Sequence, residues 1–308
     1  MNRVEPFGML VASRAVSMFR AENIDVPFRA LNYESTDGCS YAAHVGFFKT
    51  FGLKFGKDVG EAFGSSDYIP IKSCPISELH DEVETHGGRV GDHIITQSRS
   101  LAKVLARSET GPLYEMLAYC IREILRNIVE HSKALSYEFC AQYWPSKHKV
   151  EVAILDRGIG VKNTLTAHPK LRALKSHREA LNWSLLPGIS GKTYEGIHID
   201  PSNPFQNSGF GLFLTSQLCR RHGTFLIGSY DAALGLRKKE THPFTFGFSG
   251  TAVRLVLRTN ELPQDVEGLL REIIREGDEL ASQLPEAIKG ANSASKLLRG
   301  EYSSGTDA

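Results

Sequence analysis

No two of the five cysteines (Cys39, Cys74, Cys120, Cys140 and Cys219) form a C-x-x-C pair, and their number is odd. A disulfide framework and a zinc knuckle are therefore not expected, and such thiols suit a reducing cytoplasm. Neither sign of charge dominates: 36 Lys and Arg stand against 35 Asp and Glu, for a net +1. The chain as a whole thus makes no electrostatic case for nucleic acid or an acidic membrane. No apolar run approaches the roughly 18 residues of a membrane span. The short run 7–12, bracketed by Glu5 and Arg14, makes a poor signal sequence. No internal repeat is visible. Ordinary globular composition, 41% hydrophobic and 23% charged over 308 residues, suits one large or two modest domains.

Three chemical signatures fail on inspection. G-I-S-G-K-T at 188–193 has Leu186 where a phosphate-binding P-loop needs its first glycine, and no strand precedes it. Gly209-x-Gly211 has Leu214 where a dinucleotide fingerprint needs a third glycine. His80-Asp81 is followed by Thr85 where a histidine-kinase phosphoacceptor carries proline. An exposed helix histidine is the expectation there.

Residues 1–95 are expected to form a small α/β domain, faintly STAS-like, for scaffolding or partner docking. Its helices cover 8–22 (Met9, Leu10, Ala15, Val16 and Phe19 inward) and 40–51, and its strands cover 26–32 and 68–73. A second domain, 96–260, begins with a long helix, 113–132, after Gly111-Pro112. Strands at 135–143 and 149–155 follow as a hairpin. After a long irregular stretch, 161–208, with one helix at 178–186, come a helix at 212–221 and a strand at 224–229. A charged loop is expected at 231–243; residues 245–248 then lead into Ser249-Gly250-Thr251, and a strand at 252–257 closes the domain. Val266, Leu269, Leu270, Ile273, Ile274, Leu280 and Leu284 mark an amphipathic segment, 261–289, broken near Gly277. It could dock on the domain, a second copy or a partner. Residues 290–308 read as a disordered tail.

The chemistry concentrates in four blocks. On the long helix Glu123, Asn127 and His131 recur at i, i+4 and i+8. They form a polar stripe between an apolar face (Leu117, Ile121, Ile124, Leu125, Ile128) and a basic one (Arg122, Arg126, Lys133). Asp156 ends an apolar strand and is followed by Gly158 and Gly160; a carboxylate set against a core needs a donor, and the glycines permit close approach. Gly209, Gly211 and Leu212 open a helix whose positive end suits a phosphate. Gly250-Thr251 lies at the last strand. Lys192, in the irregular stretch, could be a lid cation reaching a phosphate.

In this order and spacing, Glu123-x-x-x-Asn127-x-x-x-His131, Asp156-x-Gly158-x-Gly160, Gly209-x-Gly211-Leu212 with His222-Gly223, and Gly250-Thr251 resemble the motif boxes of the GHKL ATPase superfamily. That group includes DNA gyrase, the large heat-shock chaperone, histidine kinases and the MutL mismatch-repair protein. The resemblance covers roughly residues 100–258 and is greatest to histidine kinases and anti-sigma serine kinases. It implies a Bergerat-type α/β sandwich, a mixed sheet covered on one face by helices, that binds ATP and Mg²⁺. Asn127 would hold Mg²⁺, Glu123 would act as general base, and His131 would sit near the phosphates. Asp156 would accept from the adenine amino group with Thr251 in support, while Gly158, Gly160, Gly209 and Gly211 would make room. Three functions remain open on the residues: an ATP-hydrolysing or ATP-switched module, a Ser or His protein kinase acting in trans, and a non-catalytic interaction protein. ATP and a protein partner or second copy are the expected partners, without nucleic acid or membrane.

Overall fold

Five strands pair in the order β1-β2-β3-β5-β4. They are β1 (Tyr68–Pro75), β2 (Ser136–Trp144), β3 (Lys149–Asp156), β4 (Gly223–Arg237) and β5 (Glu240–Arg258). Every pairing is antiparallel, so the expected mixed sheet is corrected to an antiparallel one. The computed structural model describes residues 4–34, 36–59, 61–62, 67–194 and 208–289. The tail read at 290–308 lies outside the described residues, as do 195–207 of the irregular stretch.

β3 is buried along its whole length because both sheet faces are covered. On one face lie α3 (Ile76–His86), α4 (Val90–Ala106), α5 (Pro112–Asn127), α8 (Gly211–Arg221) and α9 (Val266–Ser282). Alternate strand residues (Phe139, Val152, Ile154, Val253, Leu255) meet Ile121, Ile124, Leu214, Leu218 and Ile273 there. On the other face α1 (Pro6–Glu22) and α2 (Asp37–His44) pack Met9, Leu10, Ala42 and Ala43 against Ile71, Cys140, Ala153 and Ala252. The one-face covering is thus corrected to two.

This arrangement also changes the reading of residues 1–95. Their one strand among the described residues, β1, pairs with β2, and α1 lies across β2, β3 and β5. A separate N-terminal α/β domain is not what the contacts describe. The strand expected at 26–32 is irregular chain, with Ile24 and Leu31 exposed. Of the five α1 residues expected inward, only Met9 and Leu10 are buried; Ala15, Val16 and Phe19 face solvent.

The charged loop expected at 231–243 is a paired ribbon that continues β4 and β5, with Ala232, Ala233, Leu234 and Leu236 buried. At the bulge between Ser229 and Ala232 the ribbon bends back, and the Lys238 amide at its tip donates to the Arg220 carbonyl at 2.7 Å. α9 runs unbroken through Gly277, where a side chain would strike Phe213. The C-terminal amphipathic segment therefore docks on this chain's own core, burying Val266, Leu270, Ile273 and Ala281. The Ile288 amide then donates to Gly188 at 2.8 Å, tying that segment to the base of the irregular stretch.

All five cysteines are free, and among the described residues no helix is long and apolar enough to cross a membrane.

Candidate functional site

α5 ends at Asn127, and the backbone passes into one π-type turn, Ile128–Ser132, closed by Lys133 in the left-handed conformation. Such turns widen the helix and reset which way the following side chains point. Here Asn127 and His131 line a cavity of about 810 Å³, counting its mouth, between the sheet and the α5–α8 layer. Ile124, Ile154, Ile227 and Val253 give it an apolar interior.

The same cavity collects residues from all four blocks: Asn127 and His131 from α5 and its turn, Asp156 and Gly160 after β3, Gly209, Gly211 and Leu212 at the start of α8, and Thr251 on β5. Asp156 and Thr251 are register partners across β3 and β5, which fixes them side by side. Asp156 is only 3% exposed, and its Oδ1 accepts the Gly158 amide at 2.7 Å. Burial pushes its carboxyl up to about 6, against the lowering effect of the Gly158 amide and the Thr251 hydroxyl. His131 is held down at about 3 by burial, with Lys192 and Arg126 adding to the effect, so its imidazole is neutral at pH 7.

Three expected residues are not in the cavity wall. Gly158 packs backbone to backbone: a Cβ there would lie 2.0 Å from the Ser132 carbonyl oxygen, which also accepts the Ile159 amide at 2.7 Å. It joins the Asp156 turn to the end of α5. Lys192 is exposed, although close enough to act on His131. Glu123 stands behind Gly211, where a Cβ would meet its Oε2 at 2.0 Å, and its Oε1 accepts from Arg122 Nη2 at 2.7 Å. The Glu123 carboxylate thus lies against the first turn of α8, which no side chain caps. Arg126, expected on the solvent face, is buried and paired with Glu130 Oε1 at 2.7 Å. Burial works against its charge, and Glu123 and Glu130 more than offset that.

Two glycines have conformational reasons. Gly160 sits at φ +74° with Ser229 Oγ and the Tyr230 ring where a Cβ would go; Gly209 sits at φ +72° against the Ile189 backbone. Ser229 joins the parts, donating to the Gly250 carbonyl at 2.8 Å and accepting the Val161 amide at 3.2 Å. The lining also includes Ser132, Thr164, Ser184 and Ser190, which the motif reading did not single out. Thr164 falls on α6 (Gly160–Leu165), and its i+4 distance from Gly160 was the available signal. Ser190 belongs to the G-I-S-G-K-T segment rejected as a P-loop. That segment still reaches the cavity through Ile189, Ser190 and Gly191.

No family model matches the chain, and no curated protein matches it.

Proposed function

We propose that the chain is a Mg-ATP-binding protein with a Bergerat-type site, using nucleotide hydrolysis or nucleotide binding to regulate a partner. One observation carries this reading: residues from four blocks, separated by up to 124 positions between Asn127 and Thr251, line a single cavity. The apolar interior suits a flat base. Asp156, braced by Thr251, offers an acceptor for an exocyclic amino group, which favours adenine over guanine. A buried polar group left unpaired by the wrong base costs about 1–3 kcal/mol. The uncapped start of α8 at Gly209-Phe210-Gly211 supplies backbone amides for phosphate oxygens.

Mg²⁺ held beside phosphates keeps several waters and needs few protein oxygens; Asn127 Oδ1, in the cavity wall, is the one we assign. Bound there, the ion would neutralise phosphate charge. Neutral His131 lines the cavity, and Lys192, outside its wall, lies close enough to act on it. Glu123, beside the α8 N-terminus, is the carboxylate we assign to orient the attacking oxygen; phosphoryl transfer asks for such positioning more than for covalent chemistry.

Glu123→Gln should lower ATP turnover on the order of 100-fold to 10,000-fold while leaving nucleotide affinity within a few-fold. Turnover measured with γ-labelled ATP reads this directly, and label released as phosphate or carried to a protein separates hydrolysis from phosphotransfer. Turnover equal to that of the wild type would remove Glu123 from the chemistry.

A further inference from the structure

A second cavity, about 1060 Å³ counting its mouth, lies at the end of the sheet where β3 and β4 begin and β5 ends, and also takes Arg221 from the end of α8. Strand alternation sets it apart from the first. Ile154, Asp156, Thr251 and Val253 line the first cavity, whereas Lys149, Arg254, Val256 and Arg258, of opposite parity on the same two strands, line the second. The two cavities share no lining residue. The bent ribbon forms the second one, because the anchoring of its tip at Arg220 carries Arg237 and Lys238 to the mouth.

Its wall is basic in a chain whose net charge is only +1. Lys149 and Arg254 are held by Glu5 and Glu151, with Lys149 Nζ 2.8 Å from Glu5 and Arg254 Nη2 2.7 Å from Glu151. Arg221 is engaged by Glu272 and Glu276 of α9. The remaining four cations, Lys147, Arg237, Lys238 and Arg258, have no carboxylate partner among the described residues. Among the described residues the only acid in the lining is Glu261. Cations placed together around one concave space focus a positive field there.

We propose that this cavity binds a small polyanion carrying two or three linked phosphate groups. A lone phosphate carries about two negative charges and would leave half of the four cations unmatched. Linked phosphates match all four. Arg237 and Arg258 present forked donors that suit phosphate oxygens, and Thr224 adds a hydroxyl at the wall. The cations converge on a recess instead of spreading along a ridge or a flat face. That geometry selects a compact ligand over duplex nucleic acid or a membrane. The floor is already braced, since Lys149 is buried and fixed by two carboxylates before any ligand arrives. This site is independent of the nucleotide reading above.

The test is calorimetric titration of the full chain with inorganic tripolyphosphate near physiological salt. It compares the wild type, Asn127→Ala, and the double variant Arg237→Ser/Arg258→Ser. Both arginines are exposed, so the double variant should fold, which its melting temperature will verify. Binding should be saturable, should weaken steeply with added salt, and should fall at least about tenfold in the double variant, a loss of about 1.4 kcal/mol. It should survive Asn127→Ala. Absence of saturable binding, or equal affinity in the double variant, overturns the proposal. So does a short single-stranded oligonucleotide that binds this face more tightly than tripolyphosphate. In the Asn127→Ala background, ADP competing with tripolyphosphate would identify the phosphate source as a nucleotide, and failure to compete would identify a nucleoside-free polyphosphate.

Discussion

Asp156→Asn should make the ligand-free protein more stable at pH 7 while stripping it of its adenine preference. The folded carboxyl titrates at about 6, above its ordinary 3.8, chiefly because it is buried. A carboxyl raised on folding binds its proton more tightly in the native state. Its contribution is therefore most favourable at low pH and is lost as pH rises between those two values. At neutral pH the ionised side chain is a net cost, up to about 3 kcal/mol for a carboxyl moved from 3.8 to about 6. Asparagine keeps an oxygen for the Gly158 amide and removes the charge. Urea denaturation at pH 4 and pH 7 should show the variant's advantage at pH 7 and its disappearance at pH 4. In the proposed site ATP would use the ionised acceptor, so wild-type affinity should strengthen as pH rises through about 6. A variant less stable at pH 7 with intact discrimination between ATP and GTP would mean that Asp156 is only a strand-end turn residue.

Glu151→Ala should cost about 3–5 kcal/mol, the usual loss when one partner of a buried ion pair is removed. Glu151 is fully buried in β3, where its carboxylate accepts the Phe7 amide at 3.2 Å and Arg254 Nη2 at 2.7 Å, with Lys149 Nζ at 3.0 Å. Glu5, at the head of α1, bridges the same Lys149 and Arg254. Truncation leaves Lys149 buried with one carboxylate and frees the first turn of α1. The loss is a large share of a typical stability of about 5–15 kcal/mol. Equilibrium denaturation gives the size, and amide exchange along α1 should accelerate more than along α5. A loss below about 1 kcal/mol would contradict the network's role in fastening α1.

The parts legible in the sequence are those where a single residue type is forced by local geometry. Asp156 closing an apolar strand, Gly160 and Gly209 where close approach excludes a side chain, and Asn127 with His131 on one helix could be read because each element end carries its own chemistry. The relations that depend on distant partners could not. β1 gives no sign that its partner is β2, some 65 residues away, so residues 1–95 read as a separate unit. Glu151 sits inside an otherwise apolar strand, and only Glu5, Lys149 and Arg254 together explain it. Arg126 looked solvent-facing because helical phase records angle, not the ion pair with Glu130 that lets a guanidinium be buried. Along 231–243 the charges at the ribbon tip masked Ala232, Ala233, Leu234 and Leu236. Gly277 reads as a helix break, when it is a point where α9 packs against Phe213 with no room for a side chain.

The most direct measurement is the shift in melting temperature caused by saturating Mg-ATP in the wild type and in Asn127→Ala. Ligand at 100 times its Kd stabilises a fold by about 2.7 kcal/mol. The wild type should therefore melt several degrees higher with Mg-ATP, less with Mg-GTP, and Asn127→Ala should lose most of the shift while melting normally without ligand. A wild type that gains no stability from Mg-ATP, or a variant that gains as much, would contradict the assignment of the cavity between β3, β5, α5 and α8 to Mg-ATP.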